Sequence, residues 1–159
     1  EEDIVPDTVV LSVGGGGLLC GISEGLKKNN LDKTSILAIE TEGADSLHNS
    51  YTQNRHVSID SIDSIATSLG TKKVAQHAFE ISKEKNVFCK LVTDKDAIKS
   101  VDLFLNDHRI LVEPACGASL ASIYNNSNFF KDKKNIVVII CGGVGITLKQ
   151  LNLWKKEYL

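Results

Sequence analysis

The sequence contains no methionine. Because a complete translation product begins with one, we expect this chain to be a fragment or a processed piece whose missing part lies upstream. The sequence also lacks any apolar run near the ~20 residues that a membrane-spanning helix requires, so no membrane partner is expected. Charges nearly balance, with a formal net charge of −2. This balance gives no electrostatic reason to expect a nucleic acid as partner.

Closely spaced cysteine pairs, which bind zinc in many small domains, are also missing. The four cysteines are far apart, and no two are spaced as C-x-x-C: Cys20, Cys89, Cys116 and Cys141. This spacing argues against a zinc site. Three of the four lie among apolar or small residues, as buried reduced thiols do. We therefore expect a cytoplasmic protein, since disulfides are rare in that compartment.

The most informative feature that the sequence does have is a run of four glycines: Gly14, Gly15, Gly16 and Gly17. It joins a run typical of a buried strand (residues 8–13) to a run typical of a helix (residues 17–28). Glycine lets the backbone take positive φ and approach a ligand closely. A helix N-terminus also offers unpaired N–H groups and the positive end of its dipole. The pattern favours a phosphate-sized anion site; the alternative is a tight turn with nothing bound.

Strand-like and helix-like segments alternate along the rest of the chain. This order predicts an α/β fold with a mostly parallel sheet flanked by helices. Predicted strands cover residues 8–13, 35–40, 90–93 and 136–140, and predicted helices cover residues 17–28, 74–85, 95–107, 115–124 and 147–158, with short helical turns at 46–52. The apolar run at 136–140 suits a strand buried on both faces. Glycine turns follow the first and last strands, and if these strands are neighbours both turns open onto one crevice.

Five motifs in order carry a family resemblance: VVLSVGGGGLLCGI, AIETEGA, SLGTK, ILVEPACGASLA and IVVIICGGVGITLKQL. They resemble the C-terminal half of L-serine dehydratase (L-serine ammonia-lyase). That family has the tryptophan synthase β-like fold of fold-type II enzymes that depend on pyridoxal 5′-phosphate (PLP). The resemblance covers nearly all of residues 1–159 and implies the C-terminal part of the PLP-binding large domain.

The resemblance also implies two ligand sites. The family's glycine loop holds the PLP phosphate, which implies that role for the main-chain amides of Gly14, Gly15, Gly16, Gly17 and Leu18. The cysteine of its CGG motif faces the pyridine nitrogen, which implies that role for Cys141, and we expect a neutral thiol there because an ordinary cysteine has a pKa near ~8.5. A monovalent cation, usually potassium, is implied beside the loop, bound by the carbonyls of Gly14, Ala44, Leu69 and Thr71 and by the carboxylate of Glu40.

The function implied by the resemblance is β-elimination of L-serine to pyruvate and ammonia, and of L-threonine to 2-oxobutanoate. A homodimer is implied for the full-length parent. The family carries its Schiff-base lysine in an S-x-K-x-R-G motif of the N-terminal half, and no such motif occurs in this sequence. We therefore assign no residue here as catalytic and expect the fragment alone to be inactive. The sequence also departs from the family at Val144 and Gly145, where an asparagine is common.

Three other interpretations stay open at this point. The chain could come from a threonine deaminase or a serine racemase. It could be a truncated, non-catalytic module that binds PLP or another phosphate. It could also be a dinucleotide-binding domain, because Glu40 ends a predicted strand at a suitable distance from the glycines, although a spaced G-x-G-x-x-G is missing.

Overall fold

Four parallel strands form the central sheet, in the spatial order β3-β2-β1-β4. They are β1 (Thr8–Ser12), β2 (Ser35–Thr41), β3 (Val87–Val92) and β4 (Ile136–Val138). The computed structural model describes residues 4–159. All three strand pairings are parallel, which confirms the α/β fold that the alternating pattern predicts.

Helices connect the strands and cover both faces of the sheet. They are α1 (Gly17–Lys28), α2 (Ser46–Thr52), α3 (Gln76–Ile81), α4 (Asp94–His108), α5 (Pro114–Tyr124) and α6 (Leu148–Tyr158), with short 3₁₀ turns at Thr67–Leu69 and Asn128–Phe130. Helix α3 is shorter than the predicted helix at 74–85 because Ala75 is extended, with ψ of 143°. The N–H of Ala75 donates to the carbonyl of Gly15 at 3.0 Å, which ties this segment to the glycine loop. No helix within residues 4–159 has both the length and the apolarity needed to cross a membrane.

The core lies on the two faces of β1 and β2, every residue of which is buried. One face packs against α1 and α3, with Leu11 and Leu19 at its centre. The other packs against α5, where Val10 of β1 and Ala118 of α5 belong to one buried cluster. Apolar side chains alternate between these faces because successive strand residues point in opposite directions.

Helix α5 also packs closely against α4, and Gly117 permits this approach. A Cβ added at Gly117 would lie 2.3 Å from the carbonyl oxygen of Ala97 on α4. The run of small residues in PACGASLAS therefore serves close helix packing. It brings the N-terminal turn of α5 to the carboxyl end of the sheet.

Strand β4 lies at the edge of the sheet, contrary to the expectation that residues 136–140 are buried on both faces. It pairs only with β1 among the described strands. Val137 is 41% exposed and Ile140 is 38% exposed. An apolar run identifies a strand, but its position in the sheet depends on which neighbours pack beside it.

Candidate functional site

The glycine loop runs from the end of β1 into α1, and two of its residues have to be glycine. Gly16 caps α1 with a φ of 94°, in the left-handed region that side chains disfavour. A Cβ there would lie 2.4 Å from the Cβ of Ala78, and one on Gly14 would lie 2.9 Å from the carbonyl oxygen of Ser68. Gly17 differs, since a Cβ there would have no neighbouring atom within 4 Å. The loop is therefore packed against the protein on one side and open on the other.

The open side of the loop carries a row of unpaired main-chain donors. The first hydrogen bond of α1 runs from the N–H of Cys20 to the carbonyl of Gly16 at 3.0 Å. None of the N–H groups of residues 14–19 donates to an acceptor within residues 4–159. Unpaired donors at the N-terminus of a long helix, together with its dipole, form a binding site for an anion.

The glycine loop and Cys141, which begins the second glycine turn, line one cavity, as the sequence predicts. This cavity, of about 240 Å³, is lined by residues 12–19, Ser68, Leu69, Glu113, Ala115 and Cys141. The sharing follows from the sheet order, because β1 and β4 are neighbours and both turns follow their carboxyl ends. At the junction, Ser12 Oγ lies 3.8 Å from Cys141 Sγ. The predicted phosphate and ring-nitrogen residues are thus brought together in a single site.

The structure shows a contact that the expectation of an ordinary thiol at position 141 did not include. Cys116, in the first turn of α5, places its Sγ 3.5 Å from Cys141 Sγ. A hydrogen bond from Cys116 lowers the pKa of Cys141, while burial opposes this shift and a hydrogen bond from Ser12 adds to it. The thiolate is therefore more available at Cys141 than at an isolated cysteine. The sequence could not reveal this contact, since the two cysteines are 25 positions apart.

Two further polar residues of the cavity wall were missed by the sequence analysis. Ser68 Oγ donates to Glu113 Oε1 at 2.8 Å, and the N–H of Gly145 donates to Glu113 Oε2 at 3.3 Å. Glu113 thus fixes the turn that follows Cys141. The sequence signal for Glu113 is its position directly before Pro114, the first residue of α5. The departure at Val144 leaves that side chain fully exposed to solvent.

Of the residues assigned to a cation, Gly14 and Leu69 line this same cavity. The Cβ position of Gly14 is 3.2 Å from Leu69 Cα, and that of Gly15 is 3.9 Å from Thr71 Oγ1. Ala44 and Leu69 are buried in the same apolar cluster. The described residues hold no group of three or more His, Cys, Asp or Glu suited to a metal ion, so a cation here would depend mainly on carbonyl oxygens.

Glu40 is the one charged member of this set, and it is only 2% exposed. Its carboxylate accepts hydrogen bonds from the N–H groups of Leu47 at 2.9 Å and His48 at 2.6 Å. Burial raises the pKa of Glu40 to about 8, although these two hydrogen bonds favour the anion. Within residues 4–159 it forms no salt bridge. The carboxylate therefore lacks a compensating positive charge from the described side chains.

Comparison with known proteins decides the family. Residues 1–142 match the sequence profile described as pyridoxal-phosphate dependent enzyme. The chain belongs to this PLP-dependent family. This match argues against the alternative that the glycine loop belongs to a dinucleotide-binding domain. It also fits the site, because a row of unpaired amides and a second turn face one cavity.

Individual relatives of this PLP-dependent chain agree with the resemblance to L-serine dehydratase, which is confirmed. The human L-serine dehydratase/L-threonine deaminase is 39% identical over 160 residues, covering 96% of this chain and 49% of that protein. The mouse serine dehydratase-like protein is 42% identical over 154 residues, covering 92% of this chain and 47% of that protein. The crystal structure of a fungal L-serine ammonia-lyase from Rhizomucor miehei superposes with a TM-score of 0.94 at 32% identity, covering 99% of this chain and 51% of that one. The chain thus spans about half the length of the relatives it matches.

Proposed function

We propose that this chain provides the phosphate clamp, the pyridine-nitrogen partner and a cation site of a PLP-dependent L-serine ammonia-lyase. The reaction is deamination of L-serine to pyruvate and ammonia, and of L-threonine to 2-oxobutanoate. The observation that carries the proposal is a single cavity lined by the unpaired amides of residues 14–19 and by Cys141. The names of the relatives supply the reaction.

The main-chain donors of Gly14, Gly15, Gly16, Gly17 and Leu18 suit a phosphate group. Oxygens of a dianion accept several N–H bonds at once, and the positive end of the α1 dipole adds to the attraction. The loop achieves this without a lysine or arginine among the residues that line the cavity. Packing of Gly16 against Ala78 holds the donors in place before the ligand arrives.

Cys141 would hold the nitrogen end of the cofactor ring. Bound PLP supplies an electron sink, which lets an amino acid lose its α-proton and its β-substituent. The protein's contribution at this end is a sulfur that already accepts a hydrogen bond from Cys116. Cys141 Sγ can therefore accept a proton or share one with the ring nitrogen, and Cys116 sets how readily it does so.

Potassium would bind at the carbonyls of Gly14, Ala44, Leu69 and Thr71, with Glu40 as its one anionic ligand. Hard cations prefer several oxygens, often backbone carbonyls with a carboxylate. The support is the buried Glu40 carboxylate without an ion pair in the described residues. The proposal also includes a cytoplasmic location and a homodimeric full-length parent.

A binding experiment with the purified chain of residues 1–159 tests the proposal. Equilibrium dialysis should show that PLP binds and that inorganic phosphate competes with it. Borohydride should trap no covalent adduct, and L-serine should yield no pyruvate, because the sequence has no S-x-K-x-R-G motif. Failure to bind PLP, or binding insensitive to phosphate, would remove the basis of the proposal. A full-length parent with the lysine motif should form the adduct and release pyruvate.

A second candidate is a non-catalytic module that binds PLP or another phosphate, since the same row of unpaired amides would serve it. The transcript upstream of Glu1 separates the two candidates. An in-frame S-x-K-x-R-G favours the enzyme, whereas a start codon directly before Glu1 favours the module. If the parent is an enzyme, its rates with L-serine, L-threonine and D-serine distinguish a dehydratase from a threonine deaminase or a serine racemase.

A further inference from the structure

Two cysteines that are distant in sequence form a close pair at the cavity. Cys116 is fully buried in the first turn of α5, and Cys141 is exposed at the end of the segment that follows β4. Their sulfur atoms are 3.5 Å apart. Cys141 is the exposed one among the four cysteines, whereas Cys20 is half-buried and Cys89 is buried. The pair thus combines an accessible sulfur with a protected one.

Main-chain contacts hold the buried partner in register with the exposed one. Cys116 Sγ lies 3.1 Å from the carbonyl oxygen of Gly142. The N–H of Gly142 points back and donates to Cys116 Sγ at 3.3 Å. Since Gly142 directly follows Cys141, these contacts hold Cys116 Sγ beside the backbone of Cys141. The side chain of Cys141 then decides how closely the two sulfurs approach.

The sulfurs need only a small approach to become bonded. A disulfide requires a separation of about 2.05 Å, so the pair has to close by roughly 1.5 Å. Two glycines follow Cys141, and a turn of this composition can adjust its backbone at little steric cost. Cys116 is fixed in a helix, so most of the movement falls to Cys141.

We propose that Cys116 and Cys141 form an oxidisable dithiol, which hydrogen peroxide converts into a reversible intramolecular disulfide. Cys141 Sγ, as thiolate, attacks one oxygen of peroxide; the O–O bond breaks, and the departing hydroxide takes up a proton to become water. Cys141 is then a sulfenic acid. Cys116 loses its proton and attacks Cys141 Sγ, and the S–O bond breaks to release a second water. In total two thiols lose two electrons and two protons, and one peroxide becomes two waters.

The electrostatics of the pair support this order of events. The pKa of Cys141 is lowered, chiefly by the hydrogen bond from Cys116, and the pKa of Cys116 is raised. Peroxide reacts with thiolates, so the exposed sulfur reacts first and the buried sulfur resolves it. Cys89 offers a contrast, because burial raises its pKa to about 12. It should remain reduced under the same treatment.

Oxidation would change the site as well as the sulfurs. A disulfide removes the free sulfur of Cys141 from the cavity, and if the proposed function is correct, it removes the partner of the cofactor's ring nitrogen. Bound PLP should in turn cover Cys141 and slow its reaction with peroxide. This second effect rests on the proposed function, whereas disulfide formation does not.

The test is mass spectrometry of the purified chain after treatment with hydrogen peroxide. We expect the intact protein to lose two hydrogens, with a cross-linked peptide pair that contains Cys116 and Cys141 and is released by dithiothreitol. Thiol titration of the denatured protein should fall from four free cysteines to two. The variant Cys20→Ser is the matched control and should still form the cross-link.

The variant Cys116→Ser should instead accumulate a sulfenic acid at Cys141, which dimedone captures. If that variant does not fold, the mass of the oxidised wild-type chain decides alone. Four free thiols after treatment, or sulfinic acid at Cys141 with Cys116 still reduced, would overturn the dithiol. Equal oxidation rates with and without PLP would contradict the cofactor position of Cys141 while leaving the dithiol standing.

Discussion

Replacing Gly16 by alanine should destabilise the fold, whereas the same change at the neighbouring Gly17 should spare the fold and weaken anion binding. The two residues differ in what a side chain would meet. Gly16 has a φ of 94°, and its Cβ would lie 2.4 Å from the Cβ of Ala78. Gly17 begins α1 and has open space beside it.

The cost at Gly16 has two parts. An L-residue in the left-handed region loses about 1–2 kcal/mol. Forcing a methyl group against Ala78 adds about 1–3 kcal/mol, because neither Cβ can rotate away. The sum, about 2–5 kcal/mol, is a large fraction of the 5–15 kcal/mol that stabilises a typical domain. Urea denaturation should show this loss as a lower midpoint with an unchanged slope.

Gly17→Ala serves as the matched variant, since it adds the same methyl group one residue later. Alanine is favoured over glycine within a helix by about 0.5–1 kcal/mol, so its free energy of unfolding should equal or exceed that of the wild type. Its methyl group would occupy the space where the proposed phosphate lies, and PLP affinity in equilibrium dialysis should fall at least about tenfold, or ~1.4 kcal/mol. Wild-type stability of Gly16→Ala would refute the packing argument, and wild-type PLP affinity of Gly17→Ala would refute the location of the phosphate.

Three further predictions concern other parts of the chain. Gly117→Ala should cost about 1–3 kcal/mol of unfolding free energy in urea, because its Cβ would meet the carbonyl of Ala97 at 2.3 Å; an unchanged midpoint would contradict the close packing of α4 and α5. Thr93→Ala should cost about 1 kcal/mol in the same assay, because Thr93 Oγ1 accepts from the N–H of Asp96 at 3.1 Å and caps α4, whereas Thr93→Ser should retain most of the stability. Burial raises the pKa of Glu40 from 4.5 to about 8, so stability is lost as the pH rises across this interval. Because the carboxylate is ionised at about pH 9 and protonated at about pH 4, KCl should raise Tm more than LiCl does at the higher pH but not at the lower. Equal effects of the two salts at both pH values would argue against a potassium site.

The sequence predicted well those elements whose limits are set by local chemistry. Helix α1 begins and ends where predicted, because four glycines precede it and its apolar residues recur at helical spacing. Helix α4 begins within one residue of its prediction because Thr93 caps it. Strand β3 begins three residues before the predicted strand at 90–93, because the exposed Lys90 interrupts the apolar run VFCKLV and hides its first half.

Features that depend on tertiary packing were harder to predict. Nothing local distinguishes β4 as an edge strand. The contact of Cys116 with Cys141 arises because Gly117 lets α5 pack closely on α4 and places its first turn beside the CGG segment. The pairing of Ser68 with Glu113 likewise joins two loops that are 45 positions apart. The residues of the site could therefore be predicted from the sequence, whereas the contacts between them depend on the three-dimensional fold.

The donors of residues 14–19 belong to the peptide backbone, which neither gains nor loses protons between acidic and alkaline conditions. Their affinity for an anion should therefore stay constant wherever the fold persists. Any variation of binding with acidity must originate in the ligand itself or in the sulfur and carboxyl groups nearby. Such a loop also keeps its donors through most amino-acid replacements, which alter its shape before they alter its chemistry.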